Sequence, residues 1–272
     1  MKVHRGLIAA VLGALAVVAA ARPALADSLR ISGTGLVTEA LRALAPGFAA
    51  KTGISLDIVA DLGTTGANSA ILDGKLDLAI GGRDLRDKEK AQGLQVLMVL
   101  RTPFGFVTSR PGPDNLDKQD IVRLFQAANP TWPDGTPVLI ALRPAGEIDN
   151  QILANLFPGM GDVLAQLRRR SDLSIAATNH DNADLAEKTK GSLVAATLTQ
   201  IKAERRNLRF VAIDHVEPGL AAYLDGSYPY GKLLYVVTPA APSAEARYFV
   251  QFLASPDTRP QLDELALAVG AR

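Results

Sequence analysis

Cysteine is absent from the sequence, which excludes disulfide bonds, thiolate chemistry, Cys-ligated zinc and a lipid-anchored cysteine together. Aromatic residues make up only 5%, low for a protein that stacks sugars, so Trp132 and Tyr228 read as packing residues. His180 and His215 lie far apart without metal-ligand spacing and read as surface histidines. No Ser/His/Asp order, Cys/His pair or His-rich motif marks an enzyme, and no metal or cofactor is expected. Repeats and low-complexity segments are also missing.

Large net charge is the next absence. Lys2, Arg5 and Arg22 precede Asp27 with no acid among them, so taking these three from the 29 Lys+Arg leaves 26 against 28 Asp+Glu. A net charge of about −2 gives no bulk attraction to nucleic acid or an anionic membrane. Any anion must be held locally. The basic start, the uncharged run Gly6 to Ala21 and the small-residue site Ala24-Leu25-Ala26 read as a secretory signal over residues 1–26, removed before Asp27. That run is shorter than the roughly 20 residues that cross a bilayer, and no later stretch approaches it without a charge. A freely diffusing periplasmic protein is expected, with no membrane insertion after cleavage.

What the chain does have is two Gly-rich hydroxyl loops, Ser32-Gly33-Thr34-Gly35 and Gly63-Thr64-Thr65-Gly66, each between a strand-like and a helix-like run. The first N–H groups of a helix have no partner within it, and the macrodipole adds positive potential. Hydroxyls and glycines let an oxyanion approach those groups. The same residues also serve as ordinary helix caps. Around them, Leu29-Arg30-Ile31 reads as a strand, and Val37, Leu41, Leu44 and Phe48 recur at helical spacing until Gly53. Ser55 to Ala60 is a strand, the second loop opens a helix through Leu72, and Leu76 to Ile80 is a buried strand. Strands alternating with helices predict an α/β fold with mostly parallel sheet, its ligand site beyond the carboxyl ends of the strands.

Further along, strands are expected at Gln95 to Leu100 and Phe104 to Thr108, with Arg110-Pro111-Gly112-Pro113 as a candidate hinge. Helix Lys118 to Gln126, strand Pro137 to Leu142, the loop Arg143-Pro144-Ala145-Gly146, a helix to Phe157 and a helical Asp162 to Arg170 follow. A polar segment Thr178 to Lys190, strands Leu193 to Leu198, Arg209 to Ile213 and Leu233 to Thr238, and a last helix with Phe249, Phe252 and Leu253 complete the chain. Arg168-Arg169-Arg170 and Arg205-Arg206 read as solvated helix faces.

The order of these pieces resembles the phosphate-binding branch of the periplasmic solute-binding proteins of ABC importers, in the type II periplasmic binding protein superfamily. Gly63-Thr64-Thr65-Gly66 through Gly74-Lys75-Leu76-Asp77 to Gly82-Arg83-Asp84-Leu85 is similar to that family's Gly/Ser loop, "G-K-x-D" turn and "S-R-E-L" strand end. Phe125 with Thr131-Trp132, Arg143 with Gly146, and Tyr228-Pro229 through Phe249 to Pro256 are similar to its later segments. The resemblance implies two α/β lobes, each a mostly parallel sheet flanked by helices, closing on a ligand in the cleft between them. It places residues 27–107 plus 232–272 in one lobe and 108–231 in the other. It implies ligand contacts at Ser32, Thr34, Gly35, Thr64, Thr65, Gly66, Arg83, Arg143 and Gly146. Arg83 and Arg143 have a second reading, as surface residues or as ion pairs with Asp84, Glu147 or Asp149.

One departure bears on the ligand. Where the family carries Ser-Gly-Thr, this chain has Glu147-Ile148-Asp149. Pointing into the cleft, these carboxylates repel phosphate: like charges about 4 Å apart cost about 4 kcal/mol at an effective dielectric of 20. Pointing outward, they complement the dipole of a helix start. Some phosphate binders also place a carboxylate where Gly82 stands. The resemblance implies a monomeric carrier of phosphate or a related small oxyanion, partnered by an inner-membrane ABC permease. The alternatives are a carrier of another solute, or a sensor acting on a membrane kinase.

Overall fold

The computed structural model describes residues 27–60 and 62–270, so the expected leader lies outside the described residues. The first segment runs β1 (Ser28–Gly33), α1 (Thr38–Thr52), β2 (Ser55–Ile58), α2 (Gly63–Leu72), β3 (Leu78–Gly81), α3 (Asp87–Ala91) and β4 (Leu94–Thr108). The middle holds β5 (Asn115–Leu116), α4 (Lys118–Gln126), β6 (Leu139–Leu142), α5 (Ile148–Leu156), α6 (Met160–Leu167), β7 (Ser174–Ile175) and α7 (Asn179–Lys188). It continues with β8 (Ser192–Thr197), α8 (Leu198–Ala203), β9 (Arg209–Phe210), β10 (Ala212–Ile213) and α9 (Leu220–Asp225). The chain closes with β11 (Gly231–Pro239), α10 (Ala244–Ala254), α11 (Arg259–Glu264) and β12 (Ala268–Val269). No helix among the described residues is long and apolar enough to cross a membrane.

The fold is α/β with two lobes. The strand order β2-β1-β3-β11-β4-β8-β6-β7 forms one path, with β9 and β12 added on β4. Pairs β1/β2, β1/β3, β6/β7 and β6/β8 are parallel, and every antiparallel pair in this path involves β4 or β11. Strand β4 is a single element where the sequence suggests two. Its Leu94–Pro103 half pairs with β11, and Phe104–Val107 pairs with β8. Pro103 lacks a ladder donor, yet the Phe104 N–H reaches the Tyr230 carbonyl at 3.0 Å and the strand runs on. The Pro111-Gly112-Pro113 break therefore follows the crossing, and Arg110 there is held by Asp134 and lies over Trp132, 4.7 Å from the ring centroid.

Each lobe has its own core. The helical spacing read from the sequence buries Val37, Leu41, Leu44 and Phe48 against β1 and α10, with Phe48 and Phe249 edge to face at 5.2 Å. A second core joins Phe104 and Phe106 at the end of β4 to Phe125, Phe157 and Trp132. Trp132 Nε1 donates to Gly191 O at 3.1 Å and Tyr228 OH to Phe104 O at 3.1 Å, so both buried rings also satisfy their polar atoms. The polar segment after Ala176 is α7, started by a capping box between Thr178 and Asp181.

Candidate functional site

Strand β1 ends where its neighbour comes closest. A Cβ on Gly33 would lie 2.2 Å from Ile80 O, and the next N–H, of Thr34, donates to that same carbonyl at 3.0 Å. Only glycine permits this approach. It turns Thr34 out of the strand, and its hydroxyl caps nothing; Asn179 Nδ2 from the other lobe reaches it at 3.4 Å. The second loop is the first turn of α2 itself, because Gly63 takes a positive φ of 65° and the helix starts there. Thr64 Oγ1 accepts from Gly82 N at 2.9 Å and Thr65 Oγ1 from Arg83 Nη2 at 3.3 Å. The two hydroxyl loops thus sit at the ends of adjacent strands, β1 and β3.

Thr34, Thr64, Thr65, Arg83 and Arg86 form one wall of a cleft of about 400 Å³. Gly146, Glu147, Ile148, Asn150, Gln151 and Arg168 line it from the other lobe. Four expected contacts stand elsewhere. Ser32 is buried and donates to Val59 O at 2.8 Å, Gly35 is buried, and Gly66 is exposed outside the lining. Arg143 is buried beneath the cleft, lining with Asp149 a separate void of about 20 Å³.

Two cations at the site, Arg83 and Arg143, are matched by carboxylates. Arg83 makes a two-pronged contact with Glu89, 2.8 Å on each oxygen, and this contact holds the Glu89 carboxyl down at about 2. Arg143 Nη1 donates to Ala176 O at 3.1 Å and Nη2 lies 3.1 Å from Glu147 Oε2. Asp149 turns inward and pairs with Lys232 of β11, whose side chain is 1% exposed. The two carboxylates that replace Ser-Gly-Thr therefore differ. Asp149 is neither in the cleft nor in solvent, whereas Glu147 lines the cleft with Arg143 against it. Of the partners considered from sequence, Glu147 is the one Arg143 takes, and Arg83 takes Glu89 instead.

Lys232, Glu89 and Arg168 were not legible as site residues. Lys232 had one available signal: a lone charge entering an apolar strand must find a buried partner. Its ammonium also stands beside Gly82, where a Cβ would meet Lys232 Cε at 3.3 Å and Ile148 Cγ2 at 3.2 Å. The lobes are in contact at the cleft floor.

The model of the PBP (periplasmic binding protein) superfamily domain matches residues 18–257. The chain belongs to this superfamily. Similar solved structures include a substrate-binding protein from Clostridium perfringens assigned to phosphate ABC transport, with bound phosphate: 17% identity, 90% of this chain, 100% of that one, TM-score 0.75. An ABC-type phosphate transport receptor from Vibrio cholerae is 14% identical, over 90% of this chain and 100% of that one, TM-score 0.60. The periplasmic molybdate-binding protein of Azotobacter vinelandii is 13% identical, over 89% and 100%, TM-score 0.59. At these identities the likeness is one of fold. No curated protein matches the sequence.

Proposed function

We propose that this PBP-superfamily protein is a non-enzymatic periplasmic carrier, exported by residues 1–26, that captures a small oxyanion, phosphate first among them, and delivers it to an inner-membrane ABC permease. Residues 27–107 plus 232–272 form one lobe and 108–231 the other, and the chain acts as a monomer without a cofactor. The observation that carries this reading is the meeting of Thr34, Thr64 and Thr65 with Gly146 and Arg168 across one cleft. Hydroxyls and first-turn amides can surround the oxygens of a tetrahedral ion, and a guanidinium supplies charge-assisted bonds. The inward turn of Asp149 onto Lys232 supports an anionic ligand, because it removes one of the two repelling carboxylates from the cleft.

Calorimetric titration of residues 27–272 with phosphate, sulfate, molybdate, tungstate and a phosphonate tests the reading. Heat of binding is expected from at least one of them, phosphate first. The oxyanion reading fails with no heat from any.

A further inference from the structure

Arg168 is the odd member of the arginine run in which it lies. Helix α6 stops at Leu167, so Arg168 is its C-cap in a turn and not part of a solvated helix face. There it is half-buried and lines the cleft, while its neighbour Arg169 is exposed. Its Nε donates to Arg143 O at 3.3 Å. Its Nη2 is buried without any hydrogen-bond partner, and among the described residues no carboxylate lies within salt-bridge distance. Burial without a neighbouring acid lowers its affinity for the proton, the reverse of what Glu89 does for Arg83. A guanidinium in that setting is an unfavourable arrangement that a bound anion would relieve.

We infer that Arg168, rather than Arg83 or Arg143, is the side chain that meets the charge of the bound oxyanion, its guanidinium donating to the ligand from the wall opposite Thr34, Thr64 and Thr65. This rests on the oxyanion reading above. Arg83 and Arg143 are already neutralised by Glu89 and Glu147 and act as framework for the threonine loops and for the α5 start. The competing role for Arg168 is structural, as a helix-end cation that ties α6 to the Arg143 carbonyl.

The test titrates wild type, Arg168→Gln, Arg168→Lys and the exposed control Arg169→Gln with inorganic phosphate and molybdate, and melts each protein without anion. Loss of one charge-assisted contact should weaken binding of Arg168→Gln by about tenfold to a hundredfold. Arg168→Lys should fall between, and Arg169→Gln within twofold of wild type. The anion-free melting temperature of Arg168→Gln should equal or exceed that of wild type, since an unmatched buried charge has been removed. Wild-type affinity in Arg168→Gln overturns the inference and leaves the oxyanion reading standing. Weak binding with a lowered anion-free melting temperature in both Arg168 variants assigns a structural role and also overturns it. Absence of binding by the wild type overturns both.

Discussion

Asp149→Ala separates a ligand-facing carboxylate from a structural one. In the folded protein its carboxylate meets the Lys232 ammonium, with side-chain exposures of 8% and 1%. Deleting the acid leaves a cation in the interface between α5 and β11 with no access to water. Breaking such a pair costs about 3–5 kcal/mol, far more than the pair itself contributes over an apolar replacement. For a chain of this size each kcal/mol shifts the melting temperature by about 2–4 °C, so a fall of about 6–20 °C is expected. The double variant Asp149→Leu, Lys232→Met should regain most of that loss, because it removes the stranded charge as well. Thermal unfolding followed by circular dichroism measures all three proteins in one buffer without anion. The reasoning is refuted if Asp149→Ala melts within about 2 °C of wild type, or if the double variant is as unstable as the single one. A loss of phosphate binding at unchanged stability would place Asp149 against the ligand instead.

Glu147→Gln should tighten oxyanion binding. A full charge at about 4 Å and an effective dielectric of 20 repels by about 4 kcal/mol, but Glu147 is 38% exposed and paired with Arg143, which screens this to about 1 kcal/mol or about fivefold in affinity. Calorimetry with phosphate reads this directly, and weaker binding would count against a competing carboxylate. Glu89 should shape the acid limb of stability: its carboxyl falls from 4.5 to about 2 on folding, so its contribution is full above about pH 4.5 and lost as pH falls toward 2. That shift corresponds to about 3 kcal/mol, and urea unfolding from pH 2 to 6 should show a flatter limb in Glu89→Gln. Gly33→Ala should cost about 3 kcal/mol or more, because its Cβ would press on the Ile80 carbonyl at 2.2 Å, a backbone atom that cannot swing aside. An unchanged urea midpoint would contradict that close approach.

Local chemistry was readable from the chain wherever it acts within one element or one turn. The period of Val37, Leu41, Leu44 and Phe48 fixed which face of α1 is buried, and the two Gly-hydroxyl loops fixed where β1 and β3 open toward a ligand. The failures depend on where elements end and on which elements meet. Arg83 and Glu89 are six residues apart, and their pairing needs the turn that starts α3. The fate of Asp149 depends on the return of β11, 83 residues later, which no spacing near Asp149 announces. Arg168 was misread because a run of three arginines suggests solvent. The end of α6 at Leu167 puts the first of them on the cleft side of the turn, while Arg170 pairs with Asp172.

These placements bear on how a nearly neutral molecule would hold an anion. At a net charge of about −2 beyond residue 26, the whole-protein field does not steer an anion toward the cleft. Charges farther away than the Debye length of about 8 Å at physiological salt contribute little. Affinity must then come from slow release rather than fast capture. Slow release requires donors already fixed in place, and the carboxylates of the site provide that fixing. Glu89 locks the Arg83 fork beside Thr65, and Asp149 with Lys232 fixes α5 against the crossing strand. Glu147 holds Arg143, whose carbonyl in turn accepts from Arg168. On this reading Glu89 and Asp149 scaffold the site, while Glu147 holds Arg143 at the cost of repelling the ligand. Arg168 is left as the half-buried cation of the cleft wall whose charge no carboxylate among the described residues offsets.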